Sequence, residues 1–202
     1  MERILVIIGN PIAASLSHGL AVAYREAAAA GGAQVRTIDL ATASFELVPK
    51  DRDALRVRDL DDAARLGPEL AGMTEALHWA EHLVFVYPVW WGTYPAAMKA
   101  FIDRTFASGV AFRYGDKPNS WERLLAGRTA RLMLTMDAPA IFNRVMYRNA
   151  SQRSLEKAVL WYCGVKTIGT TVFDRVRYST PERRERWKTA AAALGARDAK
   201  RR

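Results

Sequence analysis

The sequence predicts one doubly wound α/β domain, a five-stranded parallel sheet with helices on both faces, and three observations predict it. Five short apolar runs alternate along the chain with helical patterns, the order that builds βαβ units. The run at residues 83–87 leads through Pro88-Val89-Trp90-Trp91-Gly92-Thr93-Tyr94-Pro95 into an amphipathic segment. That succession reads as strand, aromatic loop and a helix opened by proline. Finally, 202 residues, half of them apolar, suffice for one core and need no second.

Taken in order, residues 3–8 form the first strand. After a polar loop, residues 16–30 read as a helix stopped by Gly31-Gly32, glycine being the usual helix stop. Residues 33–40 are the second strand. Residues 41–57 have no period and look like an excursion anchored by Phe45, Leu47 and Val48. Gly67-Pro68 opens a helix towards Trp79, and residues 81–87 are the third strand. Residues 95–106 are helical, with Met98, Phe101, Ile102 and Phe106 near one face. A short extended piece follows at 110–114. The fourth strand is 129–136, and a helix over 152–162 takes Ser151 as its N-cap. Residues 165–173 are the last strand, and Thr180-Pro181 caps a final basic helix. The expected organisation is a domain over 1–194 and a basic tail over 195–202.

Composition narrows the function classes. The apolar runs are far too short to span a membrane, and residues 4–8 lead into Gly9-Asn10-Pro11 without a secretory pattern. A cytoplasmic protein is the expectation. The single cysteine, Cys163, excludes an internal disulfide framework and reads as a buried small residue rather than a nucleophile. The net charge of +9 lies mostly at the C-terminus, where residues 175–202 carry ten Lys/Arg against three Asp/Glu. Such a segment either touches an anionic partner or is a solvated, frayed end. Nucleic-acid binding ranks last, because the aromatic residues sit at strand ends and not among the cations. The three histidines make no convincing metal cluster and read as structural or exposed.

Among doubly wound sheets, five strands suit the order 2-1-3-4-5, and ligands then bind beyond the tips of strands one, three and four. That architecture is flavodoxin-like. The first tip is Gly9-Asn10-Pro11-Ile12-Ala13-Ala14-Ser15-Leu16-Ser17-His18, where backbone N–H groups and hydroxyls at a helix start suit a phosphate. Ser15 and Ser17 are equally readable as ordinary N-caps. The second tip is the tryptophan loop, either an aromatic wall for a flat ligand or a plug over the core. The third, Leu134-Thr135-Met136-Asp137-Ala138-Pro139, would aim backbone donors at a ligand that gains negative charge. The chain contains no dinucleotide-binding glycine fingerprint and no P-loop.

These residues resemble the NAD(P)H:quinone oxidoreductase family of flavodoxin-like flavoproteins, over most of residues 3–173. The matching parts are Asn10-Pro11 with Ser15-Leu16-Ser17, Asp39-Leu40, Pro88-Val89-Trp90-Trp91-Gly92 with Pro95-Ala96-Ala97-Met98-Lys99, Phe101-Ile102-Asp103-Arg104 and Gly109-Val110-Ala111-Phe112-Arg113-Tyr114-Gly115. The resemblance implies a homodimer that binds FMN (with FAD the alternative) and passes hydride from NADPH or NADH to a quinone or similar acceptor. It places Leu16 and Ser17 at the flavin phosphate with Asn10 and Ser15 beside them. Pro88, Val89, Trp90, Trp91 and Gly92 would hold the ring, and Thr135, Met136, Asp137 and Ala138 would face its pyrimidine side. Phe112 and Tyr114 would line the partner's acceptor pocket. It implies no catalytic acid or base, since Asn143 and Asn149 stand where relatives carry tyrosine and histidine, with Tyr147 nearby. Asp137 departs from the glycines of many relatives and would either set a carboxylate near the ring or turn outward to cap the next turn. The remaining functional alternatives are a flavin-bearing, redox-sensing accessory subunit of a membrane transporter and a one-electron carrier.

Overall fold

A computed structural model describes residues 2–201. The five main strands are β1 (Arg3–Ile8), β2 (Gln34–Asp39), β3 (His82–Pro88), β6 (Thr129–Thr135) and β7 (Lys166–Phe173). They form one sheet in the order β2-β1-β3-β6-β7, every pair parallel. Counted along the chain, that is the 2-1-3-4-5 order. Two short strands, β4 (Phe112–Tyr114) and β5 (Trp121–Arg123), form a separate antiparallel hairpin.

The period-two alternation of the strands sorts side chains to the two faces. Leu5, Ile7, Leu83, Phe85, Leu132 and Leu134 point to one side, where they meet α2 (Pro68–Trp79) and α3 (Ala96–Thr105). The same side takes the helical stretch α5 (Ala150–Arg153), a π-helical segment Ser154–Leu160 and α6 (Trp161–Cys163). Ile4, Val6, Ile8, Val84, Val86 and Met133 point to the other, under α1 (Leu16–Ala30) and α7 (Pro181–Asp198). The central strand β3 is buried along its whole length, as a strand covered on both faces must be.

Three sequence expectations need correction. Leu47 and Val48 do not anchor the excursion, being 50% and 73% exposed; Phe45 packs on the core, as do Ala43 and Val57. Ser151 is not an N-cap: the helix begins at Ala150, after Asn149 in the left-handed conformation, and Ser151 is buried where it donates to Tyr87 Oη at 3.3 Å. Nor does a tail begin at residue 195. Helix α7 continues to Asp198, and a Cβ at Gly195 would collide with the Tyr24 carbonyl of α1. Only a glycine permits that close approach of two helices.

Asp198 explains why the helix extends so far. Its carboxylate is fully buried and accepts a two-pronged bond from Arg131 of β6, with Nε at 2.5 Å and Nη2 at 2.9 Å. Tyr24 Oη of α1 donates to it at 2.8 Å, and His82 Nε2 lies 3.4 Å away. Burial by itself would raise the Asp198 carboxyl, but the His82, Arg131 and Tyr24 partners hold it well below the usual carboxylate range. The Arg131–Asp198 pair therefore rivets α7 to the sheet, with Tyr24 taking a further lone pair of the carboxylate, while His82 Nε2 makes a charge contact but no hydrogen bond among the described residues. Asp198→Ala should destabilise the protein by about 3–5 kcal/mol, the cost of stranding one member of a buried ion pair, measured by urea unfolding at pH 7. A carboxyl with a depressed pKa stabilises above its unfolded value and loses that contribution as pH falls through the folded one. Asp198→Asn should accordingly flatten the dependence of stability on pH between about pH 4 and 2.

Candidate functional site

Because all five strands run the same way, β1, β3 and β6 end side by side on one edge. Gly9 N donates to Val86 O at 2.8 Å and Val89 N to Thr135 O at 2.8 Å, so the three loops leave the sheet in register. Beyond them opens a pocket of about 390 Å³, within the size range of small-molecule and cofactor sites. It is lined by Asn10, Ser15, Leu16 and Ser17 from the first tip, Pro88, Val89, Trp90, Trp91 and Gly92 from the second, and Thr135, Met136, Asp137 and Ala138 from the third. The residues singled out in the sequence for a cofactor are thus gathered at one place. Ile12, Asn143, Tyr147 and Val176 complete the lining.

The first tip leaves amide donors open at a helix start. Ser15 holds the N-cap position of α1, yet its side chain makes no cap bond. The first amide of this helix to find a backbone acceptor is that of Gly19, bonded to Ser15 O at 3.2 Å. The N–H groups of Leu16 and Ser17 precede it, at the positive end of a fifteen-residue helix dipole. Ser15 Oγ is diverted sideways instead, to Asn10 Nδ2 and His18 Nδ1, both at 2.8 Å. Asn10 is itself fixed, because its Oδ1 accepts from Ile12 N at 3.0 Å. Ser17 Oγ, fully buried, reaches Thr135 Oγ1 at 3.3 Å and so ties the first tip to the third.

The second tip is a tight turn. Trp90 and Thr93 exchange both backbone bonds, at 2.8 and 3.0 Å, and Trp91 and Gly92 between them have φ of 50° and 75°. Two positive φ values define a turn that asparagine and glycine favour and tryptophan does not. The Trp91 side chain is fully exposed, at 102%, and Trp90 is 39% exposed. The core-plug reading of this pair is therefore excluded. Trp91 is thus a bulky residue held in a disfavoured conformation with its ring in solvent beside the pocket it lines.

At the third tip, Asp137 takes the second of its two expected roles. Its Oδ1 accepts from Arg177 N at 2.9 Å and caps the 3-10 turn Val176–Tyr178, although the residue still lines the pocket. Asn143, on the short helix α4 (Ala140–Val145), is buried. Its Nδ2 donates to Asn149 Oδ1 at 3.2 Å and to Gln152 Oε1 at 3.4 Å, whereas its Oδ1 has no partner among the described residues. Buried acceptors are nearly always paired, so this open one stands out on the pocket wall. Asn149 faces no ligand role there; in the left-handed conformation it starts α5.

Phe112 and Tyr114 lie apart from this pocket, on β4, where they line a second cavity of about 710 Å³ with Leu55, Phe106 and Tyr162. Cys163 is buried and its thiol is pushed up by burial to about 12, so it stays neutral and unreactive. Two histidines are structural: His78 Nε2 donates to Val110 O at 2.6 Å, and His82 is buried beside Asp198. The third is placed otherwise. His18 Nε2 meets Asp39 Oδ1 at 3.0 Å while Nδ1 meets Ser15, a contact that the i, i+3 spacing on α1 and the position of Asp39 at the neighbouring strand end make legible only in retrospect. Among the described residues no group of three or more His, Cys, Asp or Glu is arranged to hold a metal ion, and no helix is long and apolar enough to cross a membrane.

The chain is 32% identical over 116 residues to an uncharacterized NAD(P)H oxidoreductase of Escherichia coli K12, covering 57% of this chain and 58% of that one. It is 27% identical over 211 residues to FMN-dependent NADH:quinone oxidoreductase 3 of Bacillus anthracis, covering 96% of each. The chain spans about half the length, or less, of several curated relatives that it matches. Among solved structures, the NAD(P)H:quinone oxidoreductase of Methanothermobacter marburgensis superposes with a TM-score of 0.75 at 18% identity, covering 96% of this chain and 98% of that one, a likeness of fold. A family model described as flavodoxin-like fold matches residues 2–197. With its parallel 2-1-3-4-5 sheet and its pocket at the strand tips, the chain belongs to that flavodoxin-like family.

Proposed function

We propose that this protein is an NAD(P)H-dependent flavin oxidoreductase that holds FMN in the strand-tip pocket and reduces a quinone or a similar electrophile by two electrons. One observation carries the reading: the uncapped start of α1 and the Trp90-Trp91 turn border the same pocket. A positive, donor-rich end beside an aromatic wall suits a flat ligand with a phosphate tail. The amides of Leu16 and Ser17 would hold that phosphate, with Asn10 and Ser15 beside them. Pro88 to Gly92 would hold the ring system, and the backbone of residues 135–138 would face its pyrimidine side. The open Oδ1 of Asn143 offers an acceptor to a ring N–H. When bound, the flavin supplies the redox chemistry, taking hydride from NADPH or NADH and delivering it to the acceptor.

The residues of this chain then orient and screen. Asp137 has its carboxylate turned to the Arg177 amide, which draws charge away from the ring side of the pocket. FMN is preferred to FAD on the cofactor for which relatives are named. The names of relatives such as the FMN-dependent NADH:quinone oxidoreductase of B. anthracis support the same cofactor and acceptor class. A homodimer is part of the proposal, with Phe112 and Tyr114 lining the partner's acceptor site.

Protein reconstituted with FMN should oxidise NADPH or NADH in the presence of a quinone, followed by loss of absorbance at 340 nm. Absence of oxidation with either nucleotide, on FMN and on FAD, would rule the proposal out. The tryptophan turn supplies a second test. Trp91→Asn creates the Asn-Gly pair this turn prefers, so the thermal midpoint should hold or rise. Flavin affinity should nevertheless fall roughly 3- to 10-fold, the worth of one aromatic contact. A variant that binds flavin as tightly as the parent would remove Trp91 from the site.

A further inference from the structure

We infer that Asp39, His18, Ser15 and Asn10 form a proton-linked relay that selects a dianionic phosphate monoester at the start of α1. The inference rests on the flavin reading above and adds to it a mechanism of phosphate recognition. Its four members form one string: Asp39 Oδ1 to His18 Nε2 at 3.0 Å, His18 Nδ1 to Ser15 Oγ at 2.8 Å, and Ser15 Oγ to Asn10 Nδ2 at 2.8 Å. Both ends are chemically fixed. A carboxylate only accepts, so Nε2 must carry a proton; Asn10 Oδ1 accepts from Ile12 N, so its Nδ2 is the donor.

The middle of the string follows from its ends. With His18 neutral, Nδ1 can only accept, and the Ser15 hydroxyl must spend its one proton there. Ser15 then turns a lone pair, not a donor, towards the pocket it lines. That arrangement repels a phosphate oxygen. If His18 takes one proton from solvent at Nδ1, Nδ1–H donates to Ser15 Oγ, and the hydroxyl proton is released to point at the ligand. One N–H bond forms at Nδ1 with a proton from solvent, the Ser15 O–H turns without breaking, and the charge gained is one. A dianion therefore binds together with one proton, gaining a hydroxyl donor and a nearby cation at once.

The surroundings leave His18 as the group that responds. Its side chain is 13% exposed. Asp39 faces it from the end of β2, and Arg184, Glu185 and Lys188 of α7 line the groove on its other side. Arg184 Nε is engaged by Ser179 Oγ at 2.8 Å, and Lys188 Nζ by Glu185 Oε1 at 2.7 Å. The imidazole is the one member of the string that can carry a proton on one ring nitrogen or on both, so it is the one whose hydrogen-bond role can reverse. Ser15 is also the residue whose failure to cap its own helix is otherwise unexplained; the relay accounts for where its side chain went.

The test is a fluorescence-quenching titration of FMN and of riboflavin into the parent protein and into His18→Gln, at steps between pH 8 and 6. Glutamine keeps a donor for Asp39 and loses the titrating Nδ1. Because both proteins see the same ligand, the second ionisation of the phosphate cancels in their ratio. The ratio of FMN affinities, parent over variant, should climb as pH falls, by at most about tenfold per pH unit for one linked proton. Riboflavin, which lacks the phosphate, should show a flat ratio. Ser15→Ala should weaken the pH-dependent part, leaving only the attraction of the His18 cation, and thermal unfolding confirms that each variant is folded. Saturable FMN binding with parallel pH profiles for parent and His18→Gln would overturn the relay and leave the flavin reading standing. A ratio that climbs equally for riboflavin would overturn it too, and failure of both flavins to bind would overturn both readings together.

Discussion

In a sheet whose strands all run the same way, every strand end on one edge is a C-terminal end, and every return path must cross a face as a helix. That constraint decides where chemistry can collect. Strand β3 lies between β1 and β6, so three consecutive tips meet at the point where the chain reverses its direction of winding. Helix α1 begins directly after β1 and therefore presents its positive end to that meeting point. The open helix start and the place of the aromatic turn beside it are consequences of topology before they are consequences of any particular side chain.

The face opposite α2 and α3 is held by a different device. Helices α1 and α7 pack closely through Gly195, and the buried Arg131–Asp198 pair fastens α7 to the sheet from within. A charge pair in so dry a place is costly unless every lone pair is used, and Tyr24 uses one that remains. Because α7 is fixed at its far end, its first turns are fixed as well, and these bring Arg184 and Lys188 to the groove beside His18. The basic C-terminal region thus contributes to the shape of the molecule, and its charge is distributed along an ordered helix up to Asp198.

How legible the protein was in its sequence depended on the range of the interaction involved. Strand runs, helix stops at Gly31 and the cap at Thr180 are local patterns, and these appear where periodicity and turn chemistry put them. The strand order followed from the count of βαβ units, and with it the convergence of Asn10, Trp90 and Thr135. What escaped was set by long-range partners. Asp198 looked like part of a charged tail because Arg131, its reason for being buried, lies 67 positions away. Ser151 read as a cap because nothing nearby announced Tyr87 as its partner. His18 read as structural because its meaning depends on Asp39, which reaches it only through the pairing of β1 with β2.

The same distinction explains why strain gathers at the second tip. Trp91 sits in a left-handed conformation with its ring in water, and next to it α4 shows Ile141, Phe142 and Val145 largely exposed. Neither feature helps the isolated chain fold; a residue in that conformation costs about 1–3 kcal/mol. It persists because the turn is bolted to β3 on one side and to Thr93 by two backbone bonds on the other. A sheet buried on both faces is stiff enough to impose an unfavourable geometry on a loop that it anchors. Local rules are broken where the structure must meet something other than itself. The tryptophan turn, the uncapped serine and the open Asn143 acceptor break three different rules around one pocket. A ligand with a flat ring, a ring N–H and a phosphate would relieve all three.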